Sequence, residues 1–312
     1  MIDRVRSFNR TVTQRAGALD DAFLARRRPL GQSRVLWEIG AQGCDVRMLR
    51  AGLGLDSGYL SRLLRSLEDA GLAVVGPSAA DGRVRTARLT ASGIAEREEL
   101  DRRSDAVASS ILRPLSGGQR TRLVAAMAEV EQLLTASAVQ VAVADPRDAA
   151  ARACMAAYFA ELADRFEGGF EPALSISAGD DELTPPSGLL VLAKLHGEPV
   201  GIGALKLHGD GPAEIKRMWV AKAARGLGLG RRLLAELEDC AARSGARLVR
   251  LETNRALGEA VGLYRSAGYR EVPAFSDEAY GHHWFEKELG QAIGSQDGYR
   301  PSEAEALPAF SE

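Results

Sequence analysis

The stretch from Val220 to Leu234, VAKAARGLGLGRRLL, follows the strand-like run AEIKRMWV and leads into an amphipathic helical pattern, RRLLAELEDCAARSG. A strand, a glycine turn and a helix start in that order aim unpaired backbone N–H groups and the positive end of a helix dipole at one point, which makes an anion site. Phosphate is the natural guest. The P-loop is excluded, because no Gly-Lys-Ser/Thr follows the glycines. A dinucleotide loop needs G-x-G-x-x-G, whereas Gly226, Gly228 and Gly230 are spaced G-x-G-x-G. Glu252 does end a later strand, where a ribose-binding acid would sit, so spacing alone keeps that alternative open. Against it stand three successive strand-like runs before the loop, GLLVLAKL, PVGIGALKL and EIKRMWV, where a Rossmann half would open with strand, loop and helix.

A chain of 312 residues suits two domains, each able to bury a core. Up to about Leu134 helical periodicity dominates, broken once by AVVGPSAADGRVRTARL, where β-formers flank a Pro/Gly/Asp turn. Beyond it VQVAVAD reads as a strand and PRDAAARACMAAYFAELADRF as a helix with Pro at its start. After the glycine loop and its helix come a strand RLVRLET, a short helix EAVGLYRSAG and terminal strands near YREV and HHWFEKEL. The expected division is a first domain over 1–137, a second over 138–290 and a tail over 291–312, with the boundary near Ala136 to Val139. The tail and the Gly/Asp/Pro-rich loop from Glu167 to Ser187 read as mobile. A formal charge of −2 means that any basic footprint is local. Cys44, Cys154 and Cys240 are far apart and lack metal-ligand spacing, so reduced thiols and no metal are expected. Without an apolar leader after MIDRVRSFNR or a run of about 18 apolar residues, a soluble cytoplasmic protein with no membrane partner is expected.

In the first half, VRMLRAGLGLDSGYLSRLLRSLEDAGLAVV reads as two helices around a tight turn. The first runs from about Asp45 to Ala51 and ends at Gly52; Asp56 and Ser57 cap the second, which closes at Gly71. Leu60, Leu63, Leu64 and Leu67 follow the i, i+3, i+4, i+7 rule and face a core, leaving Ser57, Gly58, Ser61, Arg62 and Arg65 on the other face. Hydroxyls and arginines on such a helix suit a DNA major groove. An Asp81-Gly82 turn then places Arg83 and Arg85 at or beside a hairpin tip, able to pair phosphates or enter a minor groove. The alternative is a helical bundle with a solvated arginine face.

The runs SGYLSRLLRSLEDAGLAV and DGRVRTARLTASG, with the Asp81-x-Arg83 pair and the "LT" opening the next helix, resemble the MarR-type winged-helix regulators over about Met1 to Leu134. The resemblance implies a mainly α, winged helix-turn-helix domain acting as a homodimer, built from the first helix and the long helices after Thr90. It would read a pseudo-palindromic double-stranded DNA operator through Ser57, Ser61, Arg62, Arg65, Arg83 and Arg85, its half-sites about one helical turn apart.

In the second half V-x-x-x-x-R-x-x-G-x-G, from Val220 through Arg225 to Gly228 and Gly230, resembles the acetyl-CoA loop of the GNAT acetyltransferases. LETN and EAVGLYRSAGY at their spacing extend the resemblance from about Val139 to Leu289. It implies an α/β fold with a mixed, mostly antiparallel sheet. Acetyl-CoA is the implied cosubstrate, with N–H groups from about Leu227 to Arg231, Leu229 among them, on the pyrophosphate, and with Gly226 in the loop that Arg225 closes. The pantetheine arm would lie between splayed strands, past Met218 and Val220, with a Val220 N–H on the thioester oxygen and the Asn254 amide on the pantetheine.

Acetyl transfer to an amine needs a proton removed from the amine and one given to the leaving thiolate. Tyr264 matches the family's acid, with a core aromatic as its bland alternative. Glu214, at the start of the strand leading to the loop, matches the carboxylate base, against a plain surface acid. His282 and His283 are further candidates, of which strand alternation lets at most one face the cleft. The expected protein is a DNA-binding regulator joined to an N-acetyltransferase for a small-molecule amine. Its alternative is a GNAT domain without turnover that senses acyl-CoA and biases DNA binding.

Overall fold

The computed structural model describes residues 1–15, 28–78, 82–176 and 178–290, and the chain divides into compact units at Ala138/Val139. Asp81 of the expected turn and the 291–312 tail lie outside the described residues. No helix among the described residues is long and apolar enough to cross a membrane.

The first unit contains α1 (Ile2–Arg15), α2 (Leu30–Ile39), β1 (Cys44–Asp45), α3 (Val46–Leu53), α4 (Ser57–Asp69), β2 (Ala73–Pro77), β3 (Arg85–Leu89), α5 (Ala91–Leu112) and α6 (Gly117–Ser137). Its small sheet has the order β1-β3-β2, with antiparallel pairing throughout. The four leucines of α4 are buried with Val35, Leu36 and Ile39 of α2. Asp45 and Asp56 cap α3 and α4 by accepting from the N–H groups of Arg47 at 2.6 Å and Tyr59 at 2.8 Å. α3 runs past Gly52 and ends at Gly54: Gly54 takes the left-handed conformation, φ 64°, that closes a helix, while Gly52 continues it. Thr90 joins the wing to α5, accepting from Gly93 N–H at 3.0 Å and donating to Gly71 O at 2.7 Å. A Cβ at Gly93 would stand 1.9 Å from Leu72 O, so only glycine lets α5 start this close to the chain leaving α4.

The second unit carries a seven-stranded sheet in the order β4-β5-β6-β7-β8-β10-β9, its strands being β4 (Val139–Ala144), β5 (Gly188–Leu195), β6 (Glu198–Lys206), β7 (Ala213–Val220), β8 (Leu248–Thr253), β9 (Arg270–Val272) and β10 (His283–Glu288). The pairings are antiparallel except β7 with β8, so the sheet is mixed and mostly antiparallel. The helices are α7 (Ala149–Arg165), α8 (Leu229–Arg243) and α9 (Gly258–Ser266). Pro146 stands in the turn before α7 rather than in its first turn, because Asp145 closes that turn by accepting from Asp148 N–H at 3.0 Å. Alternation along β6 sends Ile202 and Ala204 toward the core under α7, and Leu205 toward the core under α8. Gly203 lies on the α8 side, where a Cβ would fall 2.7 Å from Leu237 Cδ1, so its absence lets α8 lie close against the sheet.

Candidate functional site

The site begins where β7 leaves its neighbours. Its register with β6 passes from Lys216↔Ala204 to Trp219↔Ile202, so Arg217 and Met218 oppose the single residue Gly203 in a β-bulge. Arg217 carries φ +55°, an uncommon conformation for a side-chain-bearing residue. On the other edge β7 pairs with β8 only at Ala213↔Val249 and Glu214↔Arg250, and beyond those pairs the strands part. Ala221 N–H donates to Val200 O at 2.9 Å, so by strand alternation the Val220 N–H points away from β6, toward the gap.

Two clefts meet there. One, of about 510 Å³, is lined by Val220, Arg225, Gly226, Gly228, Gly230 and Arg231 among others. Gly226 and Gly228 have φ of 84° and 71°, and Gly228 precedes α8 without a side-chain cap. The first intrahelical bond of α8 is Arg232 N–H to Gly228 O at 3.1 Å, which leaves the N–H groups of Leu229, Gly230 and Arg231 ahead of it for an anion. The other cleft, of about 390 Å³, is lined by Lys216, Arg217, Glu252, Glu278 and a wall of aromatic rings. Tyr158, Leu162, Met218, Leu257, Ala260 and Tyr264 line both clefts, so the wall between them is shared.

Met218, Val220, Arg225, Gly226, Gly228, Leu229, Gly230, Arg231 and Tyr264 thus come together around the first cleft. Leu227 does not line it and packs on the core instead. Arg225 donates from Nη2 to both oxygens of Glu161, at 2.7 and 2.6 Å, and from Nε to Val220 O at 3.1 Å. Asn254 lines the second cleft, but its amide is engaged internally: Nδ2 donates to Tyr280 O and Oδ1 accepts from Ala256 N–H, both at 2.9 Å. It therefore fastens the end of β8 to the loop before β10, with one of its two Nδ2 hydrogens committed to Tyr280.

Tyr264 is buried, its ring against Tyr269 and Phe285 at 5.9 Å, and burial with the fields of Tyr158 and Glu252 pushes its hydroxyl above the ordinary phenol range. Such a phenol stays protonated and can donate. Tyr158 is likewise pushed up by burial, to about 12.

The two strand glutamates divide. Glu214 does not line either cleft: it lies in the paired part of β7, accepting from Arg250 Nε at 3.0 Å and Nη2 at 2.7 Å, with His208 Nε2 at 3.3 Å. Burial would raise its carboxyl, but Lys216 and Arg250 outweigh that and hold it below the usual carboxylate range. Glu252 lines the second cleft, where burial pushes its carboxyl up against the opposing Lys216 ammonium. Lys216 Nζ pairs with Oε1, and Oε2 is buried with no hydrogen-bond partner among the described residues.

Neither candidate histidine lines a cleft. His283 Nδ1 pairs with Glu271 Oε1 at 2.6 Å, and His282 joins the sheet through its N–H to Thr253 O. The buried thiols Cys154 and Cys240 are pushed up by burial and are poor nucleophiles there.

The loop from Glu167 to Ser187, read as mobile, borders the second cleft through defined bonds. Glu278 accepts from Ser175 Oγ at 3.0 Å and Ile176 N–H at 2.8 Å, and Tyr280 Oη accepts from Glu171 N–H at 2.8 Å. Sequence reasoning missed Tyr158 and Glu161 of α7. Their i, i+3 spacing next to Leu162 put a polar stripe on one helix face and was the available signal.

In the first unit Ser57, Gly58, Ser61, Arg62 and Arg65 are exposed on α4, and Arg83 and Arg85 are exposed at the hairpin. Tyr59, passed over in the sequence, shares that face, with Arg62 Cζ 5.7 Å from its ring centre.

The model of the Acetyltransferase (GNAT) family matches residues 155–269, and that of the MarR family residues 28–84. The chain is 36% identical over 117 residues to an IAA acetyltransferase of Azospirillum brasilense, spanning 37% of this chain and 76% of the relative. It is similar in structure to an acetyltransferase from Streptococcus agalactiae (18% identity, TM-score 0.40, 49% of this chain and 99% of that one). A GNAT family acetyltransferase from Elizabethkingia anophelis with acetyl-CoA bound aligns at 18% identity and TM-score 0.35, over 49% of this chain and 99% of that one. The chain belongs to the GNAT acetyltransferase family, a family of acyltransferases, and carries a MarR-type winged-helix domain ahead of it.

Proposed function

We propose that the second unit transfers the acetyl group of acetyl-CoA to a small amine. The observation that carries this reading is the shared wall: Tyr264 borders both the glycine-loop cleft and the cleft that holds Glu252. The left-handed glycines and the leading N–H groups of α8 fit a pyrophosphate, and the open edge of β7 fits the amide-bearing arm between it and the acyl group. When bound, acetyl-CoA supplies the activated acyl group.

The residues divide the remaining work. The acceptor nitrogen, in the second cleft, forms its bond to the acyl carbon as the carbon–sulfur bond breaks. Glu252, which lines that cleft, takes the proton that the nitrogen sheds. Tyr264 gives its proton to the departing sulfur. The Val220 N–H donates to the carbonyl oxygen as charge grows there. Glu252 replaces Glu214 as the proposed base, because Glu214 lies outside both clefts.

The first unit, in this proposal, binds double-stranded DNA as a homodimer. α1 and α6 bury no residue, and they expose Val5, Phe8 and Val12, and Val124, Met127 and Leu133, which a second copy would cover. Arg62→Ala and Arg83→Ala should each weaken binding to a duplex selected from a random pool and flatten its salt dependence. If neither changes binding to any duplex, α4 is a solvated helix face.

The test of transfer is thiol release from acetyl-CoA over a panel of amines, run beside DNA binding with and without acetyl-CoA. Amine-dependent thiol release is expected. No release with any amine, together with a shift in DNA affinity, would replace the enzyme by an acyl-CoA sensor.

A further inference from the structure

Two cations line the acceptor cleft, and they are treated differently. Lys216 pairs with Glu252, whereas Arg217 meets no carboxylate among the described residues. Its contacts are Met155 Sδ, 3.0 Å from Nη1, and the Phe159 ring, whose centre lies 5.1 Å from Cζ. Asp180 and Glu182, the acids whose fields reach it, are engaged elsewhere, Asp180 with Arg152 at 2.9 Å and Glu182 with Lys206 at 2.7 Å. Burial pulls the guanidinium below its ordinary range, as expected of a cation held against apolar neighbours.

The backbone supplies a second, independent observation. Arg217 sits in the β7 bulge at φ +55°, and a bulge re-aims a side chain at a modest free-energy penalty that the surroundings must sustain. Without the bulge, alternation would place residue 217 differently in the cleft wall. A guanidinium lacking a carboxylate partner in a partly desolvated cleft is short of its best ligand, and its planar fork matches a carboxylate. Around it the cleft is aromatic: Phe159, Phe166, Phe170 and Tyr280 form one cluster, with neighbouring ring centres 4.8 to 5.8 Å apart. Glu278, the other acid in the wall, is turned to the loop by Ser175 and Ile176.

We infer that Arg217 receives a carboxylate of the acceptor, which makes the acceptor an amino acid or kindred amino carboxylate with an aromatic or apolar body, not a simple amine. This rests on the acetyl-transfer reading for the role of acceptor. The carboxylate site itself is testable without turnover.

Calorimetry on the full chain with 3-phenylpropanoate, which has the carboxylate but no amine, and with its neutral amide measures that site directly. The wild-type protein should bind the carboxylate about tenfold or more tightly than the amide. Arg217→Gln should erase the difference, and Arg217→Lys should keep part of it. Parity of the two compounds in the wild type overturns the inference even if no variant folds, as does an Arg217→Gln protein that keeps the preference. Thiol release then separates the two claims: L-phenylalanine should exceed phenethylamine in kcat/KM, with the advantage lost in Arg217→Gln. An Arg217-dependent preference in binding with no thiol release from any amine would remove the transfer reading and leave the carboxylate site standing.

Discussion

Glu214 and Glu252 occupy neighbouring strands and the same buried layer, yet the β7–β8 pair puts them in opposite circumstances. At its paired end both strands are laddered, Arg250 reaches across to Glu214, and the carboxyl is held low as half of an ion pair. At its parted end no strand fills the gap. Glu252 there keeps one oxygen unpartnered, and burial holds its carboxyl high. One strand pair thus holds one carboxyl low and the other high, and what separates them is the place where hydrogen bonding between the strands stops. A carboxylate with its donors already supplied has little drive to take a proton; one short of donors does.

If the parted end is where binding and chemistry occur, the largest effect belongs to its glycine loop. Gly228→Asp should abolish acetyl-CoA binding, because φ 71° disfavours any side chain and a carboxylate would repel the phosphates at the head of α8. Calorimetry giving wild-type affinity would remove the loop assignment. Next comes Tyr264→Phe, expected to lower kcat by about 10²- to 10⁴-fold with acetyl-CoA affinity little changed. An unchanged rate would return Tyr264 to the core of rings formed with Tyr269 and Phe285.

Glu252→Gln follows, with a loss of about 10²-fold in kcat/KM. Its sharper signature is in pH. The base must be ionised, so the rate falls as pH drops through the carboxyl's folded value, and burial moves that fall above the usual carboxylate range. The variant should lack that acidic limb. A limb of the same position and depth in both proteins would show that Glu252 is not the group titrating.

Much of this architecture was legible in the sequence, for reasons that stop at a definite point. The leucines of α4 obey a local period, and burial followed; the strands around the loop are runs whose length and β-branching identify them. Gly71, Gly226 and Gly228 mark backbone that few other residues adopt. What was not legible depends on partners distant in sequence. Asn254 looks free until the chain returns at Tyr280 to accept from its amide. Glu214 looks like the acid ahead of the loop until Arg250, on the next strand, closes on it. The bulge at Arg217 has no local mark in EIKRMWV, because it arises from registering that run against Gly203.

The smallest effect on rate is expected at the paired end, and it tests the comparison from the other side. Glu214→Gln should leave kcat/KM unchanged, since Glu214 touches neither cleft, while lowering stability by about 1–2 kcal/mol through the weakened bonds to Arg250. The sign with pH follows from its lowered folded value. A carboxyl that ionises more readily in the folded chain contributes stability above its ordinary range, and that contribution is lost as pH falls through the folded value. Wild type and Glu214→Gln should therefore differ most in melting temperature near neutral pH and converge in acid. A rate that collapses in Glu214→Gln with stability unchanged would reverse the roles of the two glutamates, and with them the claim that the parting of the strands selects the base.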